Sequence, residues 1–150
     1  MIPEIGHIFL IIAFVATIMQ VLFWIYNIKS FNGFTLNILK KSSLINFLFI
    51  LLSFFILTYS FIFSDFSLSI VSNNSHSLKP LIYKISGVWG NHEGSLLLWV
   101  LILSAFTFLV SKQNSNINAK LLSSIIGLQT LILCLFLAFI LFTSNPFERL

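Results

Sequence analysis

The sequence predicts an all-α integral membrane protein with four transmembrane helices and a short interfacial helix in the outer loop. Of its 150 residues, 58% are hydrophobic and only 8% are charged, whereas charged residues make up roughly 25% of a soluble domain. A helix that crosses a bilayer needs about 20 apolar residues. Four runs approach or exceed that length, at 5–26, 44–63, 94–111 and 121–143, and they leave no room for a soluble domain.

The first run, 5–26, is interpreted as a permanent helix rather than a cleaved signal peptide. The residues before it include Glu4 and no Lys or Arg. Its apolar core is too long for a signal sequence, and no small-residue cleavage site follows it.

The basic residues predict the orientation. Lys29, Lys40 and Lys41 follow the first run, and Lys112 and Lys120 follow the third. Loops rich in Lys and Arg stay on the cytoplasmic side, or in the matrix for a mitochondrial protein, so both termini and the loop at 64–93 are expected outside. The acidic residues and histidines fall on that outer side. Because the basic residues are spread among loops, nucleic-acid binding is not indicated.

The first part of the outer loop, "DFSLSIVSNNSH", is expected to be extended. Phe66, Leu68 and Ile70 alternate with serines, and a period of two favours a strand with one apolar side. Asn73 and Asn74 then supply a turn.

The second part, "KPLIYKISGVWG", predicts the interfacial helix. Pro80 suits a first helical turn, and the apolar residues recur on one helical stripe: Leu81, Ile82, Ile85, Val88 and Trp89. Such a helix lies in the membrane interface. Gly87 or Gly90 is expected to form the corner into the third span.

The stretch "GVWGNHEGSLLLW" holds the candidate functional residues. A continuous helix from Trp89 through the third span, at 100° per residue, would place one set on a single face: Trp89, His92, Glu93, Leu96, Trp99 and Val100. Three glycines, Gly87, Gly90 and Gly94, would form a second face. Small residues at such spacing let a neighbouring helix approach closely.

Two interpretations of the first face stay open. In one, His92 and Glu93 border an outer cavity, where the histidine could bind a haem iron or move a proton while Trp89 and Trp99 pack on a flat aromatic ligand. In the other, Asn91 or His92 caps the span, Glu93 complements the helix dipole, and the tryptophans anchor the interface. No catalytic residue is assigned.

The other histidines predict no metal site. His7 beside Gly6 is expected at the interface, and His76 among Asn and Ser is expected in solvent. The three histidines lie on separate segments without a metal-ligand spacing.

Three blocks of the sequence resemble the N-terminal region of the CcmF family, the haem lyases of System I cytochrome c-type biogenesis. They are "MIPEIGH", "SDFSLSIVSNNSHSLKPLIYKISGVWGNHEGSLLLWVLIL" and "FILFTSNPFERL". The resemblance covers essentially the whole chain in register. The related NrfE proteins look similar in the same region.

The resemblance implies covalent attachment of haem to apocytochrome c on the outer face of a bacterial or mitochondrial inner membrane. It implies a haem b cofactor, a haem chaperone of the CcmE type, a thiol-reducing partner of the CcmH type, and the remainder of the CcmF protein as partners. The family's tryptophan-rich haem-binding segment and haem-ligating histidines follow the "TSNPF" block, so no ligand role is transferred to His92. The chain is expected to be a fragment of a longer reading frame or one piece of a split gene, and lyase activity is not assigned to it alone.

Two other function classes fit the composition. One is a small structural subunit of a respiratory membrane complex, and the other is a small membrane transporter component. Neither requires haem, and neither accounts for the three blocks.

Overall fold

The computed structural model describes residues 2–29, 32–113 and 118–150, and every named element in these ranges is a helix. The helices are α1 (Ile2–Lys29), α2 (Gly33–Ile62), α3 (Ser69–Asn74), α4 (Leu81–Gly87), α5 (His92–Ser111) and α6 (Ala119–Thr143). α1, α2, α5 and α6 are long and apolar enough to cross a membrane, which confirms the predicted fold class.

The four long helices form a bundle. α1 packs against α2 and α6, α5 packs against the same two helices, and α2 also contacts α6 across the centre. The connection between α2 and α5 carries α3 and α4, and α4 packs against α2. Consecutive long helices are antiparallel neighbours, and short connections join α1 to α2 and α5 to α6.

Lysines gather at one end of the bundle. α2 begins at Gly33, where the Asn32 side chain accepts a hydrogen bond from the Phe34 N–H, so Lys40 and Lys41 lie within the helix rather than in a loop. Together with Lys112 they line one recess. We call this the inner end, and the opposite end the outer end.

Polar side chains are buried between the helices toward the inner end. Gln20 of α1 donates to the carbonyl of Leu39 at 3.0 Å and to the hydroxyl of Ser43 at 2.9 Å, and it accepts from the Asn46 amide at 2.7 Å. The polar side chains of Gln20, Ser43 and Asn46 are almost completely buried. Interhelical hydrogen bonds of this kind help membrane helices associate, because within lipid there is no hydrophobic driving force between helices.

The prediction of an extended strand after α2 is wrong, because the chain forms the short helix α3 there. Leu68 makes a single antiparallel bridge with Arg149. Helical structure then begins at Ser69 and buries Ile70 and Val71 together. Two adjacent buried side chains suit a helix, whereas a strand would point them to opposite faces.

The interfacial helix is confirmed as α4, which starts after Pro80. Its residues Leu81, Ile82 and Tyr83 are 57%, 72% and 62% exposed within the chain, so their apolar surface is available to the membrane interface. Lys84 points back to α2 and donates to the Ser64 hydroxyl at 2.6 Å.

Candidate functional site

The helix that carries the candidate residues begins at His92, not at Trp89. Asn91 has an extended backbone with φ −131° and ψ 169°, and its side chain accepts the Gly94 N–H at 2.7 Å. The prediction of a continuous helix from Trp89 is therefore wrong, because this N-cap interrupts it. Asn91 is the cap that the second interpretation allowed, and Glu93 lies in the first turn.

The predicted face is consequently divided. His92 is exposed and Glu93 is partly buried at the start of α5, while Trp99 is 62% exposed farther along the same helix. Trp89 lies outside α5, in the turn before it, and is 43% exposed. Val100 is fully buried and faces the other helices.

The three glycines do not form one packing face, because they lie on three different parts of the chain. Gly87 ends α4, Gly90 is in the turn, and Gly94 is in α5. A Cβ at Gly94 would lie 1.7 Å from the Val88 carbonyl oxygen. The absence of a side chain at Gly94 thus allows close contact with the preceding turn of the same chain, not with a neighbouring helix.

Two of the histidines meet the segment that follows α6. His7 of α1 and His92 of α5 contact adjacent residues there, with 3.1 Å between His7 Nδ1 and Asn145 Nδ2 and 3.4 Å between His92 Nδ1 and Ser144 Oγ. We call His7, His92, Ser144 and Asn145 the outer histidine cluster. No local pattern in the sequence predicts that His7 and His92 contact adjacent residues.

Several contacts hold segment 144–150 across the outer end. Phe147 lies against Gly6, where an added Cβ would come within 2.5 Å of the phenyl ring. Arg149 forms an ion pair with Glu4. The Glu148 carbonyl accepts from the Ser69 N–H at 3.0 Å. The segment therefore connects α1, α3 and α6.

An apolar groove lies between α5 and α6, next to His92. It has a volume of about 300 Å³ and is lined by Leu96, Leu135, Phe136 and Phe139. The His92 ring lies 6.5 Å from the Phe139 ring, edge to face. The volume of the groove is at the lower end of the range of about 300–1,000 Å³ that ligand pockets have.

The contact with Ser144 engages Nδ1 of His92, which leaves Nε2 as the nitrogen that can bind a metal centre or exchange a proton. A hydrogen bond at one ring nitrogen is the usual way to orient a ligating histidine. The arrangement can therefore present an oriented imidazole at the outer end of the groove.

The third histidine lies elsewhere. His76 is in the outer loop and accepts the Leu78 N–H at 3.3 Å. Within residues 2–29, 32–113 and 118–150, no three His, Cys, Asp or Glu side chains come together as metal ligands.

Sequence reasoning missed Ser144, Asn145 and Gly6 as parts of this site. The available signal for the first two was their place in the "TSNPF" block, directly after an apolar run. Gly6 could have been noted as a small residue in a transmembrane helix, where small residues permit close contacts.

Comparisons with known proteins support the resemblance along the whole chain. The family described as Cytochrome C assembly protein matches residues 89–149. The cytochrome c-type biogenesis protein CycK of Rhizobium meliloti is 43% identical over 150 residues, which are 100% of this chain and 22% of that protein. CcmF of Pseudomonas aeruginosa is 38% identical over 150 residues, again 100% of this chain and 23% of the relative.

A solved structure titled "Cytochrome c Heme Lyase CcmF" superposes with a TM-score of 0.92 at 23% identity, covering 99% of this chain and 25% of the other. It shows that the fold is shared. The chain spans less than a quarter of the length of the two relatives described above.

Proposed function

We propose that this chain, which is homologous over its whole length to the CcmF family of cytochrome c-type biogenesis proteins, is the N-terminal four-helix part of a haem lyase. In this role it supports covalent attachment of haem to apocytochrome c on the outer face of the membrane. It contributes the outer histidine cluster and the α5–α6 groove as one wall of the site where haem or a protein partner is held.

The convergence of the three resembling blocks carries this proposal. The first block supplies His7, the second supplies His92, and the third supplies Ser144 and Asn145. These blocks are separated by as many as 138 residues between His7 and Asn145. A helix bundle needs no polar contact between its chain ends merely to cross a bilayer, so their meeting at one place indicates a site.

The residues suit haem in two respects. The groove walls are aliphatic and aromatic, as the face of a porphyrin requires. His92 can offer Nε2 at the outer end, with Ser144 orienting the ring. Haem, when bound, would supply the vinyl groups that become linked to cysteine thiols of apocytochrome c, whereas this chain would bind and orient.

The cofactor and partners belong to the same proposal. The family resemblance supports haem b as cofactor, with apocytochrome c, a CcmE-type haem chaperone, a CcmH-type thiol-reducing partner and the remainder of the CcmF protein as partners. The positive-inside rule supports placing the outer end in the periplasm or intermembrane space, because Lys40, Lys41 and Lys112 gather at the inner end.

The test is holocytochrome c formation by the full-length protein in a strain that lacks its own copy. His92→Ala should reduce covalent haem incorporation at unchanged abundance of the protein in the membrane. His76→Ala is the matched control, because His76 is an exposed loop histidine whose ring accepts a hydrogen bond from the Leu78 N–H of its own loop, and it should leave incorporation normal.

Glu93→Gln examines the remaining candidate. It keeps the shape of the side chain and removes its charge, and Asn91 still caps the helix. Reduced haem incorporation at normal abundance would support a direct role for the carboxylate. Normal incorporation by both His92→Ala and Glu93→Gln would show that these residues only start a helix, and the proposed wall would be wrong.

A further inference from the structure

Gln129 is a polar residue within the membrane-spanning part of α6 whose side chain makes no hydrogen bond in the described part of the chain. Its Oε1 is buried without a donor, and Nε2 reaches the surface without an acceptor. An amide without a partner in an apolar medium costs several kcal/mol. A bilayer chain offers neither donor nor acceptor, so lipid cannot provide the missing partner.

Gln129 lies on the side of α6 that lines the groove. Phe136 follows it by seven residues, which at 100° per residue is a rotation of only about 20°. Phe136 and Phe139 form groove walls together with Leu96 of α5. The amide is therefore aligned with Phe136 and lies toward the inner end, beyond the residues that line the groove.

We infer that the side of α6 from Phe136 to Gln129, at the inner end of the α5–α6 groove, is the docking face for one further transmembrane helix, which carries a Ser or Thr hydroxyl or an Asn or Gln carboxamide at the depth of Gln129. Apolar side chains of that helix cover Phe136 and close the inner end of the groove, while the outer end beside His92 stays open. The polar group of that helix accepts a hydrogen bond from Nε2 of Gln129. Interhelical bonds of this type recur in membrane proteins and mark helix contacts.

The occupant is a helix of the larger protein outside these 150 residues. The chain covers only 22–23% of CycK and CcmF, so the relatives contain much additional chain that could supply it. This identity of the partner rests on the proposed function. The need for some hydrogen-bonding partner at Gln129 does not, because it follows from the position of the amide.

The test is site-specific photo-crosslinking in the full-length protein in its membrane. A benzophenone amino acid at position 129 should form an adduct with a helix from the remainder of the protein, identified by mass spectrometry of the linked peptide. The same probe at Met19 of α1 is the control, because Met19 is 50% exposed on a helix that does not line the groove, and it should give no protein adduct. Met19 and Gln129 each lie ten residues from the inner end of their helix, so the two probes are at similar depth. If the variant at 129 does not accumulate, Ile132 serves, because it is 47% exposed on the flank nearer the groove.

Three outcomes would overturn the inference: adducts confined to residues 2–150, adducts with a second copy of the chain, or equal lipid labelling at positions 129 and 19. Holocytochrome c is measured in parallel. An adduct with the expected helix and no effect of His92→Ala would refute the proposed function alone. The reverse result would refute only the docking face.

Discussion

Replacing Gly94 by Ala should destabilise the protein although it adds a single methyl group. The new Cβ would lie 1.7 Å from the carbonyl oxygen of Val88 and 3.0 Å from Oδ1 of Asn91. Neither atom is the end of a flexible side chain, because one is backbone and the other is fixed as the helix cap. The turn at 88–91 must therefore move away from α5.

The size of the effect follows from what that movement breaks. Asn91 accepts the Gly94 N–H at 2.7 Å and donates to the Gly87 carbonyl at 2.8 Å. Loss of an N-cap costs about 1 kcal/mol, and overpacking with backbone displacement costs about 1–3 kcal/mol. We expect a total of about 2–4 kcal/mol, which is several degrees in melting temperature.

The assay is thermal unfolding of the purified full-length protein in detergent, with membrane abundance measured in parallel. Gly90→Ala is the control, because a Cβ there would meet nothing closer than the Ser86 carbonyl at 3.5 Å, an ordinary contact distance. Equal melting temperatures for the two variants would refute the reasoning. They share the same added methyl, and the helix propensity that Ala gains at position 94, about 1 kcal/mol at most, is smaller than the expected cost of the contact.

Three further substitutions test other contacts of the bundle. Gln20→Leu removes the hydrogen bonds with Ser43 and Asn46. It should lower the free energy of unfolding by about 1–2 kcal/mol in the same thermal assay, because each intramembrane hydrogen bond contributes about 0.6 kcal/mol. An unchanged melting temperature would mean that these bonds add nothing to stability. Gly127→Ala places a Cβ 2.1 Å from the indole of Trp24, so tryptophan fluorescence should shift as the ring moves, and an unaltered spectrum would contradict this packing. Arg149→Ala should lower the melting temperature by less than Gln20→Leu, because the Arg149 and Glu4 side chains of the ion pair are 44% and 50% exposed and surface ion pairs contribute little to stability. A large loss would show that the pair is essential for docking segment 144–150.

The long helices could be predicted from the sequence because a bilayer imposes a minimum apolar length on each span. The runs 94–111 and 121–143 differ from α5 and α6 by two residues at their starts, and their ends coincide. α2 was harder, since it begins at Gly33 and its first turns are too polar to count as part of an apolar run. Hydropathy finds the part of a helix within hydrocarbon, not the part that extends beyond it.

The boundary at Asn91 could not be decided from periodicity. Trp89, His92 and Glu93 fit a helical spacing, and a spacing cannot reveal that a side chain bonds the Gly94 N–H in place of a backbone carbonyl. Asn side chains often compete with backbone carbonyls for the N–H groups of a helix. The same limit applied to α3, where serines between apolar residues imitated a strand.

The outer histidine cluster depends on contacts that no local pattern contains. His7 and Asn145 stand at opposite ends of the chain, and only the arrangement of α1 beside α6 brings them together. Polar residues within the spans could have been used to predict where helices make contact, because Gln20, Asn46 and Gln129 are isolated in apolar runs.

The position of His7 requires that α1 be fixed lengthwise against α2. Lipid tails are as apolar as leucine side chains, so burial alone does not distinguish one vertical register of a membrane helix from the next. Two polar anchors make that distinction: Ser53 donates to the Gly6 carbonyl at 3.0 Å near the outer end, and Gln20 bonds Ser43 at 2.9 Å farther in. A slip of one turn, about 5.4 Å, would break both anchors and would carry His7 away from Asn145. The buried polar residues of α2 therefore set the geometry of a site that none of them touches.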